Sequence, residues 1–125
     1  MNIIRLTIGK VVIDAELLDT PTAKAIEQNL PFASKAKAWG EEVYFETPVE
    51  AALEADAHDV IEAGEIAFWV QCNCIVIGFG TTPGSQGNEI RLSAKSNVFA
   101  RALSDVTQLK SVKPDDFVFV EIINT

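Results

Sequence analysis

The stretch CNCIVIGFGTTPGSQG, Cys72 to Gly87, decides how this chain is read. An apolar run from Cys74 to Gly80 spills into a loop of small residues. Three readings compete: a phosphate-cradling loop, a metal site built on Cys-x-Cys, and the rim of a β-barrel. Gly78-Phe79-Gly80 begins like a dinucleotide fingerprint, but the third glycine would have to fall at Pro83, and no helix start follows. A Walker-type loop fails as well, because no Lys-Ser/Thr pair follows a glycine at the required spacing. Thr82-Pro83-Gly84-Ser85 instead places Pro and Gly at the two central positions of a type II turn. The run CIVIGF is apolar at both parities, as in a strand buried on each side. The stretch therefore reads as a central strand running into a turn at a sheet edge.

Cys72 and Cys74 are two apart, so on a strand they point the same way. Zinc needs three or four ligands, and the sole histidine, His58, falls in a polar turn, so the two cysteines read as a buried or partly buried pair of thiols. No metal and no cofactor is expected. The same shortage of histidine argues against a Ser/His/Asp triad built from Ser85 or Ser93.

Outward from that stretch, strand signals dominate. NIIRLTIGKVVIDAEL alternates at period two, with Ile4, Leu6 and Ile8 on one face, and Val11, Ile13 and Ala15 following a reversal at Gly9-Lys10. This is hairpin chemistry. In DTPTAKAIEQNLPF, Thr20 caps a helix whose first residue is Pro21; Ala23, Ile26 and Leu30 recur at helical spacing, and Pro31 stops it. WGEEVYFETPVE predicts a strand over Glu41–Thr47, with Val43 and Phe45 on one face and Glu42 and Tyr44 on the other. EAALEADAHDVIEAGE favours helix by propensity but is ambiguous. IAFWVQ and CIVIGF read as two strands around Gln71-Cys72-Asn73. SNVFARALSDVTQLKSV is helical by composition, although Val98 and Phe99 equally suit the start of a strand. KPDDFVFVEII is a strand entered through a Pro-Asp-Asp turn.

At 125 residues, 48% hydrophobic and 22% charged, the chain suits one folded domain, 1–125, with no internal repeat or linker. A net charge of −8 disfavours nucleic acid and anionic membrane as partners, since their phosphates would repel this surface. No apolar run approaches the length of a membrane span, and Met1–Ile8 lacks the pattern of a signal peptide. Two cysteines without a disulfide framework point to a cytoplasmic location. Adjacent acids on a strand face opposite ways, so Glu41 and Glu42 cannot act together on one bond and read as a solvated edge, one of them capping a backbone group. Trp39, Tyr44, Phe45, Trp69 and Phe79 suit a core, and Arg91 and Arg101 suit ion pairs, but a barrel mouth also exposes aromatics beside polar groups.

Several pieces together resemble a known family. GKVVIDAELLDTPTAKAIEQNLPF is similar to the opening of the cyclophilins, IVIGFGTTPGS to their barrel strand with a Phe and a Thr-rich turn, and NVFARALSDVTQLKSVKPDDFVFVEI to their last third. More closely, WGEEVYFETPV, AGEIAFWV, GFGTTPGS and NVFARAL resemble the small prokaryotic cyclophilin-like proteins of undetermined function, over residues 3–123. The resemblance implies a closed antiparallel barrel of about eight strands, with the Pro21–Leu30 helix capping one end. It also implies a strand over Asn97–Leu103, a short helix from Asp105 to Val112, and strand or loop over Pro48–Ala57. Peptidyl-prolyl isomerases of the family use a Phe-His-Arg motif, a Gln-Gly-Gly segment, and a Trp and a His before the Val-Phe-Gly strand. Neither motif occurs between Glu42 and Phe79, and Thr81–Ser96 contains no Trp and no His; Phe79 alone lands on a pocket position. Without the guanidinium, the standard mechanism loses its electrophilic element. The expected function is therefore binding of a small molecule or peptide in a cleft at the barrel rim, with a divergent prolyl isomerase as the alternative. The candidate lining is Tyr44, Phe45, Trp69 and Phe79, with Thr81, Thr82, Ser85, Arg91 and Asn97 as polar groups.

Overall fold

The computed structural model describes residues 2–123; the ends of the expected 1–125 domain, Met1, Asn124 and Thr125, lie outside the described residues. The hairpin forms as its alternation predicts. Strands β1 (Ile3–Ile8) and β2 (Val11–Leu17) pair with Ile8 opposite Val11, so Gly9-Lys10 is the two-residue loop. Gly9 sits at φ 60°, where a side chain would be strained. Helix α1 (Pro21–Gln28) starts under Thr20, whose Oγ1 accepts from the Ala23 amide at 3.1 Å. It ends two residues earlier than Leu30, at a C-cap formed by Asn29, and buries Ala23 and Ile26 against the barrel.

Strands β3 (Phe32–Lys35) and β4 (Lys37–Ala38) are two halves of one segment broken at Ala36. The first half pairs with β10 (Phe117–Ile122) and the second with β5 (Glu42–Glu46). Strands β7 (Glu65–Trp69), β8 (Cys74–Gly78) and β9 (Ile90–Ala102) complete the order β3-β10-β1-β2-β9-β7-β8-β5-β4, all antiparallel. Because the first and last members are parts of one segment, the sheet returns on itself as a nearly closed barrel, mainly β and of about eight strands. A short strand, β6 (His58–Ile61), pairs with β9 outside this path, so His58 opens a strand instead of lying in a turn.

Inward residues of successive strands, including Ile4, Leu6, Ile13, Phe45, Phe68, Ile75, Ile77, Phe99 and Val120, form one sealed core. A second cluster lies on the other side of the barrel wall: Ile61, Ala67, Val76 and Leu92, flanked by Tyr44, Trp69, Ile90 and Val98. Two cores on opposite faces of β8 explain why CIVIG is apolar throughout and buried throughout. The second core exists because β9 is long. Its end, from Asn97 to Arg101, pairs with β7 in the barrel, whereas its start pairs with β6 and lies over the outer wall. Gly78 permits this close approach, since a Cβ there would stand 2.5 Å from Ile90 Cγ2.

Several expectations change. The strand reading of Asn97–Leu103 holds, and a 3₁₀ helix follows over Val106–Ser111. The segment 48–57 forms neither helix nor strand. It is pinned by Asn97, which accepts from the Glu54 amide and donates to the Ala52 carbonyl and Thr22 Oγ1, each at 2.9 Å. Those bonds to α1 and β9 outweigh its helix propensity. The Thr82–Ser85 turn closes with a 2.9 Å bond from the Ser85 amide to the Thr82 carbonyl, but Gly84 does not take the left-handed φ that a type II turn needs. Cys72 and Cys74 are not free thiols; they are joined as a disulfide across the β7–β8 turn. That turn takes Cys72 off the strand and brings its sulfur to Cys74, a closure that strand alternation did not anticipate. Among the described residues, no helix is long and apolar enough to cross a membrane.

Candidate functional site

Strand β5 has opposite faces in opposite environments. Val43 and Phe45 point into the barrel, while Glu42 and Tyr44 point to its outer wall. That wall is partly roofed by the start of β9, and at the roof's edge opens a pocket of about 350 Å³ lined by Trp39, Glu42, Tyr44, Trp69 and Ser93. Each lining residue is delivered by a different local cause. Trp39 follows β4 and is held by its amide bonding to the Glu42 carbonyl at 2.9 Å. Tyr44 and Trp69 come from β5 and β7, which flank β8, and meet edge to face with ring centroids 6.0 Å apart and an interplanar angle of 65°. Ser93 comes from the roofing part of β9.

The floor is Glu42. The acid pair was expected to be a solvated edge; Glu42 is instead fully buried, because Ile90 and Leu92 of β9 close over Gly78, its cross-strand partner. The expected capping of a backbone group is present: Oε1 accepts from the Ser93 amide at 3.3 Å. Its other oxygen, Oε2, is buried with no hydrogen-bond partner. Burial pushes the carboxyl up to about 7, against the smaller opposing effect of the Ser93 amide. Glu42 therefore changes charge near neutrality inside an aromatic pocket.

The other sequence candidates are dispersed. Tyr44 and Trp69 share the pocket. Phe45 lies in the sealed barrel interior, and Phe79 packs against that same core. Asn97 is fully occupied in the network that holds segment 48–57. Thr82 Oγ1 donates to the Arg91 carbonyl at 2.5 Å, and Ser85 Oγ accepts from the Thr82 amide at 2.9 Å, so both serve the turn. Thr81 is exposed, with its carbonyl accepting from the Glu41 amide. Arg91 is locked between Glu89, at 2.7 Å, and Asp59, at 2.8 Å. Sequence reading missed Trp39, Glu42 and Ser93 as pocket residues. The available signal was the alternation itself, which places Glu42 on the same face as Tyr44. Among the described residues, no group of three or more His, Cys, Asp or Glu is arranged to hold a metal ion.

Comparison with known proteins agrees with the architecture. The profile of a family described as Cyclophilin-like matches residues 2–121. The solution structure of the hypothetical protein AF2241 from Archaeoglobus fulgidus superposes with a TM-score of 0.82 at 34% identity, covering 96% of this chain and 93% of that one. No curated protein matches the chain.

Proposed function

The chain belongs to the Cyclophilin-like family, and we propose that it is a binding barrel that takes a small molecule or peptide group into the pocket between Trp39, Glu42, Tyr44, Trp69 and Ser93. One observation carries this reading: a fully buried carboxylate oxygen without a partner lies beneath a pocket whose walls are half-buried aromatic rings. Aromatic walls supply apolar burial, and a few convergent polar groups orient what is bound. A structural carboxylate would have its lone pairs satisfied, because an unmet buried acceptor costs free energy.

The divergent prolyl isomerase is less well supported. Electrophilic help at the prolyl nitrogen needs a lasting donor, and the Glu42 carboxyl at the floor of this pocket gives up its proton as pH rises through about 7. Arg91 is engaged by two carboxylates, and Arg5 is paired with Asp14 at 2.8 Å. A cytoplasmic location remains part of the proposal on the low cysteine count alone, and the Cys72–Cys74 disulfide weighs against the reducing compartment it implies; fractionation of the native cells tests it.

Amide and indole shifts of isotope-labelled protein test the binding reading, with titration by a mixed set of small ligands and an Ala-Pro peptide. Shifts should concentrate on the indole N–H groups of Trp39 and Trp69 and on the Ser93 amide, without catalysed exchange across the proline bond. Shifts confined to the cleft beside α1, at Leu17, Leu18 and Lys24, would refute it.

A further inference from the structure

We propose that the group selected by this pocket is an organic ammonium ion bearing at least one N–H, which lies against the Trp39, Tyr44 and Trp69 rings and donates to Glu42 Oε2. This rests on the pocket reading above and specifies its ligand class. Glu42 Oε1 is already served by the Ser93 amide, so the unmet demand at the floor is for one donor at Oε2.

Among the described residues, no cation meets that demand. Across β5, Glu42 faces Gly78 of β8; Lys37 of β4, opposite Tyr44, is tied to Glu46 at 3.5 Å. On β9, Arg91 is held by Glu89 and Asp59, and Ser93 presents only its amide to the carboxylate. Tyr44 is the other titratable group in the lining, and Glu41, next along the chain, adds negative charge. The pocket thus combines an uncompensated acid with three electron-rich rings. Ring quadrupoles attract a cation, most strongly for Trp, and a desolvated site strengthens that attraction. A charge-assisted bond to the carboxylate exceeds one from a neutral donor. The net charge of −8 also raises the local concentration of cations. A neutral alcohol would satisfy Oε2 and forgo the rings' attraction for charge, while a quaternary ammonium would engage the rings and leave Oε2 unmet. The same ammonium chemistry is carried by a free amine or by a lysine side chain of a peptide.

The test is titration of the labelled full chain at about pH 8, above the Glu42 transition, with n-butylammonium, n-butanol, tetramethylammonium and a blocked lysyl tripeptide as probes. Butylammonium should bind at least about tenfold more tightly than butanol, shifting the Trp39 and Trp69 indole signals. In Glu42→Gln, which keeps an oxygen for the Ser93 amide, the preference should fall to within about twofold. Trp39→Leu should weaken butylammonium more than butanol, and it serves if Glu42→Gln fails to fold. Affinity of the wild-type protein for butylammonium should drop as pH falls below about 7, and that of Glu42→Gln should not. Equal binding of butanol and butylammonium would overturn the cation inference and leave the pocket reading standing. Tetramethylammonium binding as tightly as butylammonium would overturn the role of the N–H. If no probe moves the pocket signals, the inference fails; if the mixed ligand set also leaves them unmoved, the pocket reading fails with it. Tighter binding of the tripeptide than of butylammonium would assign the ammonium to a protein side chain, and the reverse to a free amine.

Discussion

Glu42 is one residue on which folding and binding make opposite demands. An ionised carboxylate loses hydration when buried, and one amide bond returns only part of it. Its folded pKa of about 7 lies above the ordinary 4.5, so its protonated form is compatible with the fold and its ionised form opposes it. The stabilising contribution is fully present below about pH 4.5 and is lost as pH rises through about 7. Glu42→Gln should therefore match the wild-type stability near about pH 4 and exceed it near about pH 8, by up to about 3 kcal/mol of unfolding free energy, less whatever solvent in the pocket screens, with a correspondingly higher midpoint. Thermal unfolding at the two pH values measures this; an equal midpoint at both would mean that the carboxyl is not desolvated. Sequence alone placed Glu42 on the face of β5 opposite Phe45. It did not reveal that the face was covered, because the cover comes from residues 90–93, far along the chain.

At the scale of elements, β9 does two jobs with one strand, and Gly78 is where they meet. A methyl at Gly78 would collide with Ile90 Cγ2 at 2.5 Å and press on Leu92 Cδ2 at 3.3 Å, lifting the strand that roofs the pocket. Gly78→Ala should cost about 1–3 kcal/mol by overpacking and speed amide exchange from Ile90 to Ser93. Combining it with Ile90→Ala should recover part of that loss, because the colliding methyl is gone. A double-mutant cycle by denaturant unfolding reads the coupling, and additive losses would show that the two residues do not meet. The hairpin β1–β2 and the helix α1 were legible locally, since Gly9-Lys10, Thr20-Pro21 and the apolar spacings act within a few residues. The segment 48–57 was not legible by propensity: its Ala, Leu and Glu content signals helix, whereas the loop that the family resemblance allowed is held open by bonds from Asn97 and by the Glu54 carboxylate accepting from Thr22.

At the scale of the whole molecule, the barrel depends on pairings distant in sequence. Strand β10 pairs with both β1 and β3, so residues near the C-terminus hold the N-terminal hairpin and the closing segment together. Truncation after Val112 removes both ladders and one of the two strands that pair with β1, and should leave a chain without dispersed amide resonances. A folded spectrum from that fragment would refute the dependence. Folding should be slow for the size of the chain, because these contacts close long loops. What the sequence by itself determined is the β1–β2 hairpin, the strands β5, β7, β8 and β10, the end of β9, the capped helix and the family to which the barrel belongs, all written in short-range periodicity, turn residues and ordered motifs; β3, β4, β6 and the start of β9 were not among them. What only the tertiary structure decided is the site. Phe45 and Asn97 read as well as Trp39 and Ser93 in sequence, but burial depends on what folds over a face, and the roof over Glu42 is laid by a strand about fifty residues away in sequence.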